Sequence, residues 1–366
     1  MRILFVVPYP PGQAPSQRFR FEQYLDLLEQ NGHSYTFAPF LDAATWAILY
    51  KPGQTAAKIK GVLAGLGRRL LLFGDLGQYD FVFVHREAAP MGPPVLEWLM
   101  AKVWNKRIIY DFDDAIWLRD DLASGPTLFG RLKWTQKVGS ICRWAHRVSC
   151  GNDYLASYAR GFNPRPGAVV VNPTTLDTNH LHNRLRDQTV QPGETIVVGW
   201  TGTHSTLPYL DKLWPIFRQL EAEEGLPPFE LRVIANQQPL PDPGLRSLRF
   251  VPWRKATEID DLLGFHFGLM PLEDDPWAKG KCAFKALQYM ALGMPALVSP
   301  VGMNTEVVES GVNGFVCNSP SEWHAAIRRL LTDADLRARQ GAAARRTIVA
   351  RYSVVSNEAN FLGLFQ

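Results

Sequence analysis

The chain has 366 residues, 46% of them hydrophobic and 20% charged, with a formal net charge of +4. That length suits two ordinary domains, and the composition excludes a disordered or fibrous protein. Charge is spread unevenly: residues 1–180 carry 20 Lys/Arg against 15 Asp/Glu, the remainder 19 against 20. The mild positive excess suits an anionic partner or surface and falls short of the basic footprint of a nucleic-acid binder. No apolar run reaches the roughly 18 residues needed to cross a bilayer. Four cysteines (Cys142, Cys150, Cys282, Cys317) lack CxxC spacing, so neither a disulfide framework nor a zinc site is indicated.

In chain order, the first apolar run spans 3–7 and is stopped by Pro8, Pro10 and Pro11. It is too short for a signal peptide and reads as a buried strand, so a cytoplasmic protein is expected. Strands are further expected over 81–84, 107–112, 147–150 and 168–171, then over 196–200, 231–235, 248–251, 267–271 and 296–299. Helices are expected between them at 18–30, 94–103, 208–223 and 282–292, and near the end at 320–332, 333–352 and 357–365. Runs rich in Val, Ile and Phe without clean alternation are those of strands buried on both faces. Alternation of such strands with helices argues for an α/β protein with doubly wound parallel sheets. The polar stretch 177–194, ending in Pro192-Gly193, reads as a linker. The expected division is a first Rossmann-like domain over 1–180 and a second over 181–352, with a terminal helix at about 353–366 packing back on the first. Two such domains would face each other across a cleft, with ligands beyond the carboxyl ends of the strands.

The most informative stretch is 267–299, which reads strand, loop, helix, stop, strand. Gly293 suits a left-handed helix cap and Pro295 cannot continue the helix. On a helix over 282–292, Lys281, Lys285 and Gln288 fall at i, i+4 and i+7 and share a face. A loop of Gly and Lys feeding a helix amino terminus is a natural diphosphate site, because free N–H groups and the helix dipole favour anions. Spacing alone describes an ordinary solvated face equally well, and both readings stand at this level.

The wording of the stretch resembles the donor-binding motif of the retaining GT-B glycosyltransferases of family 4. In that family Glu-x7-Glu precedes Met-Ala-x-Gly-x-Pro, a strand, a Gly-containing loop and a Glu. Here Gln288-Tyr-Met-Ala-Leu-Gly-Met-Pro295 is followed by Ser299-Pro-Val-Gly-Met-Asn-Thr-Glu306 and by Gly311-Val-Asn-Gly-Phe315. Gln288 replaces the second Glu, which preserves a ribose contact. Gly280 replaces the first, so the usual contact with the donor sugar must pass to another group or be absent. Val198-Gly-Trp-Thr-Gly-Thr-His-Ser-Thr206 is similar to the first strand and phosphate-facing loop of the donor domain. The resemblance implies donor contacts from Gly202, Thr203, His204, Lys281, Lys285, Gln288, Asn304 and Glu306. His204 fits either a phosphate hydrogen bond or a solvent-facing loop residue. The family's Arg and Lys near this loop have no counterpart before Lys212, which turns attention to Lys281 and Lys285 as the cations that stabilise the leaving diphosphate.

In the first domain, the loop from Pro8 to Arg20 resembles the acceptor-bordering loop, with Gln13 on the acceptor side and Arg18 and Arg20 fitting either contact with an anionic acceptor or simply the start of a helix. Arg86, in Phe83-Val-His-Arg-Glu87, fits acceptor contact or an ion pair with Glu87 or elsewhere. Tyr110-Asp-Phe-Asp-Asp-Ala-Ile-Trp117 contains Asp-x-Asp, a metal signature in another glycosyltransferase fold. Here it closes a buried strand, so polar contact with the sugar or acceptor through Asp113 and Asp114 is preferred and no metal is expected. The stretch 58–73 mixes Lys and Arg with Leu and Phe, which suits either an ordinary packed helix or an anionic membrane surface.

The resemblance implies a bacterial enzyme of polysaccharide or glycolipid assembly. It would move a sugar from a nucleotide-diphosphate sugar to a saccharide or lipid-linked acceptor, with retention by front-face attack and without a glycosidase carboxylate pair. The nucleotide sugar is a co-substrate, no cofactor or nucleic acid is expected, and peripheral contact with the inner face of a membrane is a further expectation. A sugar-nucleotide epimerase of the same fold and a non-catalytic nucleotide-sugar-binding protein are the alternatives. A nicotinamide dehydrogenase is disfavoured, since neither 10–20 nor 199–205 supplies Gly-x-Gly-x-x-Gly. Base selection is expected from loop contacts around Pro252 and Trp253.

Overall fold

The structure, a computed structural model, describes residues 1–49, 51, 53–118, 134–191, 193–239 and 241–366. Contacts divide the chain into two compact units, one of Met1–Thr174 with Asn357–Gln366 and one of Thr175–Ser356.

The first unit contains the strands β1 Arg2–Val7, β2 Ser34–Pro39, β3 Phe81–His85, β4 Arg107–Phe112, β5 Arg147–Cys150 and β6 Val169–Val171. They form one sheet in the order β2-β1-β3-β4-β5-β6, with every neighbouring pair parallel. Chain direction across the sheet reverses at β1 and β3, the kind of switch point where α/β folds open a crevice for ligands. Ile3–Val7 and Phe81–Val84 are 0% exposed, as strands covered on both faces must be. Phe5 packs against Phe21, Phe37 and Phe83 at ring-centre distances of 5.0–5.4 Å. The last ten residues close this unit: Phe361 stacks on Tyr24 at 4.2 Å, and Asn360 Nδ2 donates to the Val171 carbonyl at 3.1 Å.

The second unit contains β7 Ile196–Gly202, β8 Phe229–Ala235, β9 Leu248–Pro252, β10 Phe267–Met270, β11 Ala296–Val298 and β12 Gly314–Val316. Their order is β12-β11-β10-β7-β8-β9, again all parallel. Counted within the unit this is the 3-2-1-4-5-6 order of a Rossmann sheet, and β7 and β10 flank its switch point. Those two strands pair only at Val198–Phe267 and Gly199–Gly268 before they diverge. The side chain of Tyr289 fills the opening. Its hydroxyl accepts from the Thr201 N–H at 3.0 Å and donates to the Leu269 carbonyl at 3.3 Å. Only glycine allows this at 268, because a Cβ there would lie 2.1 Å from the Tyr289 ring.

The ten strands expected from the sequence are all present; β2 and β12 were not anticipated. β2 is an edge strand, half exposed along most of its length, and β12 is a three-residue edge strand, so neither shows a continuous apolar run. The stretch 177–194 is no free linker. It is laid along the second unit, where Arg345 donates to the carbonyls of Thr178 and His182 at 2.9 and 2.7 Å, and the Arg186 N–H donates to Leu292 at 2.7 Å. Its polar residues meet side chains and helix ends instead of a strand ladder, which is why its composition imitates a linker. Pro192 lies outside the described residues. No helix among the described residues is long and apolar enough to cross a membrane.

Candidate functional site

At the carboxyl edge of the first sheet, charges are locked to one another. Arg20, 1% exposed, lies in the turn after the short helix Pro15–Arg18. It forms an ion pair with Asp111 at the end of β4 and donates to the Asn172 carbonyl beyond β6. Ser149 Oγ donates to Asp111 Oδ1 at 2.6 Å, and His85 Nδ1 meets Asp111 Oδ2 at 2.8 Å. Burial by itself would raise the Asp111 pKa, but Arg20 and His85 outweigh it and hold the carboxyl well below the usual carboxylate range. With Asp111 ionised, His85 donates through Nδ1, and its buried Nε2 has no hydrogen-bond partner among the described residues.

Above this pillar, Arg86 takes a left-handed backbone conformation (φ 59°) as β3 ends. The Arg86 N–H donates to the Asp111 carbonyl at 2.8 Å and the Tyr110 hydroxyl donates to the Arg86 carbonyl at 2.8 Å, which hold that conformation. Its guanidinium then spans Asp113 and Asp114, each reached at 2.7 Å. Burial opposes the Arg86 charge, but the two carboxylates more than offset this and raise its pKa; burial likewise opposes ionisation of Asp113, and Arg86 holds that carboxyl low. The partner of Arg86 is therefore the Asp113–Asp114 pair, while Glu87 pairs with Lys137 at 2.7 Å. Asp111 is paired with Arg20 and His85, and Asp113 with Arg86. Arg20 is enclosed in the pillar, whereas Arg18 remains half-buried and Gln13 exposed. The loop 8–14 is held from beneath by Gln17, whose side chain receives the Tyr9 N–H at 2.9 Å and donates to the Tyr9 carbonyl at 3.0 Å.

The second sheet presents a different edge. Gly202, the last residue of β7, and Thr203 lead into a 3-10 helix His204–Leu213, closed by a capping box between Thr203 and Thr206. The His204 N–H donates to Asn236 Oδ1 at 2.7 Å, and the His204 ring meets Asn236 Nδ2 at 3.0 Å. Beyond β10, Asp275 caps the short helix Pro276–Lys279 by accepting from the Ala278 N–H at 2.7 Å. The next helix spans Phe284–Ala291 and starts only after Ala283, which is left-handed at φ 53°. The break places Lys281 before the helix, so Lys281, Lys285 and Gln288 do not form one helical face. Lys281 lies over the Trp277 ring and Lys285 over the Trp200 ring, each at 5.5 Å from the ring centre. Gln288 is 2% exposed, and its Nε2 donates to Glu258 Oε1 at 3.4 Å. Asn304 is 1% exposed and donates to the Ser299 carbonyl at 3.0 Å, whereas Glu306 is exposed.

Two further residues belong to this edge. Lys212 reaches back from the 3-10 helix to the Leu272 carbonyl, Ser299 Oγ (3.3 Å) and Glu273 (3.4 Å). Ser299 Oγ also accepts from the Leu272 N–H at 2.9 Å. The absence of an earlier cation after β7 was the only sequence signal for Lys212.

A family model described as glycosyl transferases group 1 matches residues 281–347, from Lys281 through most of the helix Ala334–Arg351. No curated protein sequence matches the chain. Among solved structures, it is similar to sucrose-phosphate synthase from Thermosynechococcus elongatus, with a TM-score of 0.70 and 14% identity over 100% of this chain and 98% of that one. It is also similar to HepE from Anabaena in complex with UDP (TM-score 0.65, 16% identity, 99% of both chains). A glycosyltransferase from Rickettsia africae ESF-5 gives a TM-score of 0.67 at 11% identity, over 100% of this chain and 97% of that one. The two parallel six-stranded units, each with flanking helices, thus have the GT-B fold. With the group 1 segment in its second unit, the protein is a glycosyltransferase.

Proposed function

We propose that this enzyme transfers a sugar from a nucleotide-diphosphate sugar to a saccharide or lipid-linked acceptor, with retention and without a metal ion. The observation that carries the reading is the entry to helix Phe284–Ala291. It lies inside the group 1 segment and sets Lys285 against Trp200 of β7, one of the two strands at the switch point. Breaking the anomeric bond builds negative charge on the departing diphosphate, and fixed cations stabilise that charge most where they need not reorganise. Lys281 and Lys285, each set over an indole, fill this role, with Gly202, Thr203 and His204 lining the same edge. Asn304 and Glu306 complete the donor side, and Lys212 is added to it. Gln288, in contact with Glu258, contributes to the ribose pocket through the wall that these two side chains make. In the first unit, Asp113, Asp114 and Arg86 form the polar group for the sugar and acceptor, flanked by Gln13 and Arg18. A uridine nucleotide is the first donor to try, since the similar HepE structures include complexes with UDP and with UDP-glucose.

The test is a thermal-shift screen of UDP-, GDP-, ADP- and dTDP-sugars, followed by radiolabelled transfer with the best donor and a panel of acceptors. One nucleotide sugar should raise the melting temperature and support transfer. Stabilisation by none of them would remove the reading, and accumulation of a free isomeric nucleotide sugar would replace it with the epimerase alternative.

A further inference from the structure

The helix Thr55–Asp75 presents a surface apart from the two sheet edges described above. Its inner side is defined by three positions four residues apart. A Cβ on Gly61 would lie 2.4 Å from the Thr45 side chain, and one on Gly65 would lie 2.8 Å from the Phe40 carbonyl oxygen, so the helix rests directly on the body. Arg69, 0% exposed, donates to the carbonyls of Val7, Ala38 and Ala88 at 2.8, 2.7 and 2.6 Å. With glycines and a carbonyl-bound Arg turned inward, the large apolar residues of the helix are left outside. Ile59, Leu63, Leu66 and Leu70 are 50%, 62%, 39% and 64% exposed and follow one another at spacings of four, three and four, a continuous stripe; Leu71 beside them is 78% exposed. Of the fifteen large hydrophobics exposed among the described residues, five therefore belong to this one helix. Scattered surface leucines need no explanation, but an outward row of them marks a contact surface.

Charge decides between the occupants such a row could have. From residue 43 to residue 74 the chain carries Lys51, Lys58, Lys60, Arg68 and Arg69 and no Asp or Glu; Arg68 pairs with the flanking Asp42 at 3.2 Å, Arg69 is buried, and Asp75 ends the helix, which leaves the lysines as the surface cations of the stretch. Lys51 and Lys60 are exposed, and Lys60 lies on the outward side among the leucines. A second copy docked through the same face in a twofold contact would offer these lysines one acid of the helix, Asp75 at its far end, so most of the basic charge of both copies would stay unanswered. An anionic lipid surface answers them directly: leucines enter the acyl boundary while lysine stems extend to the headgroups. The helix is not apolar enough to cross the bilayer.

We propose that helix Thr55–Asp75 docks the first unit on an anionic lipid surface, lying in the plane of the interface with its outer leucines inserted. The experiment is flotation of the full chain with vesicles of phosphatidylglycerol mixed into phosphatidylcholine, against vesicles of phosphatidylcholine alone. The protein should float with the anionic vesicles and largely stay behind with the neutral ones. Lys60→Ala should weaken the partition about fivefold. Leu63→Glu with Leu70→Glu should weaken it by more than about tenfold at an unchanged melting temperature, since both side chains are already exposed. Leu63→Gln with Leu70→Gln serves the same purpose should the charged pair impair folding. Equal flotation with both vesicle types, or flotation indifferent to the leucine changes, would overturn the proposal. So would a doubled mass in light scattering that the leucine changes abolish, which would give the face to a second copy.

Discussion

The two sheets end in edges of different electrostatic design, although the second also holds an ion pair, Lys212 with Glu273. In the first unit the charges answer each other: Arg20 with Asp111, Arg86 with Asp113 and Asp114, and Lys137 with Glu87. In the second, Lys281 and Lys285 are set over indole faces, and the backbone between β7 and β10 is spanned by the Tyr289 hydroxyl. A paired network fixes shape and offers a polar surface of small net charge, which suits a neutral sugar or acceptor hydroxyl. Cations stacked on aromatic rings present positive charge beside an apolar wall. The same fold class thus supplies one edge built for rigidity and one that we propose holds a diphosphate.

The largest expected disturbance is in the first edge. Arg20→Met leaves Asp111 buried without its cation, and breaking such a pair costs about 3–5 kcal/mol. Urea unfolding should show that loss, while donor affinity, which we assign to the second unit, should stay near the wild-type value. A comparable donor-affinity loss would erase the contrast between the edges.

Acid should reveal the same pillar. The Asp111 pKa is depressed in the folded protein, so the unfolded chain binds the proton more readily and stability rises with pH through this region. The contribution, on the order of 2 kcal/mol, is fully present above about pH 5 and is lost as pH falls below about 4 toward the folded-state value. Asp111→Asn should flatten that part of the stability–pH curve. A curve as steep as that of the wild type would show that other carboxylates carry it.

A smaller effect is expected at the second edge from Tyr289→Phe. The Thr201 N–H would lose its buried acceptor at a cost of about 1–3 kcal/mol, seen as a lower melting temperature. A melting temperature equal to that of the wild type would mean that another group takes up this amide.

Much of the architecture is legible in the sequence because parallel strands buried on both faces leave unbroken apolar runs. The runs over 3–7, 81–84 and 196–200 are examples. β2 escapes because an edge strand with one exposed face needs no such run. The site is less legible, for two physical reasons. Helical periodicity assumes an unbroken helix, and nothing in Cys282-Ala283-Phe284 announces the left-handed Ala283 that separates Lys281 from Lys285. Burial of Gln288 against Glu258 and the pairing of Arg86 with Asp113–Asp114 depend on residues 30, 27 and 28 positions apart, which only the folded sheet brings together. The outward leucines of the helix Thr55–Asp75 were visible as a basic apolar stretch. Which side faced the body was set by Gly61 and Gly65, whose significance appears only once Thr45 and Phe40 are in place.

The most direct test of the central claim is the affinity of the full chain for UDP and its sugars, measured by titration calorimetry beside Lys285→Ala. If the entry to helix Phe284–Ala291 holds the diphosphate, the variant should bind at least about tenfold more weakly, the worth of one lost charged hydrogen bond. It should also retain the wild-type melting temperature without ligand. Equal affinity in the two proteins would contradict the assignment of the diphosphate to that edge.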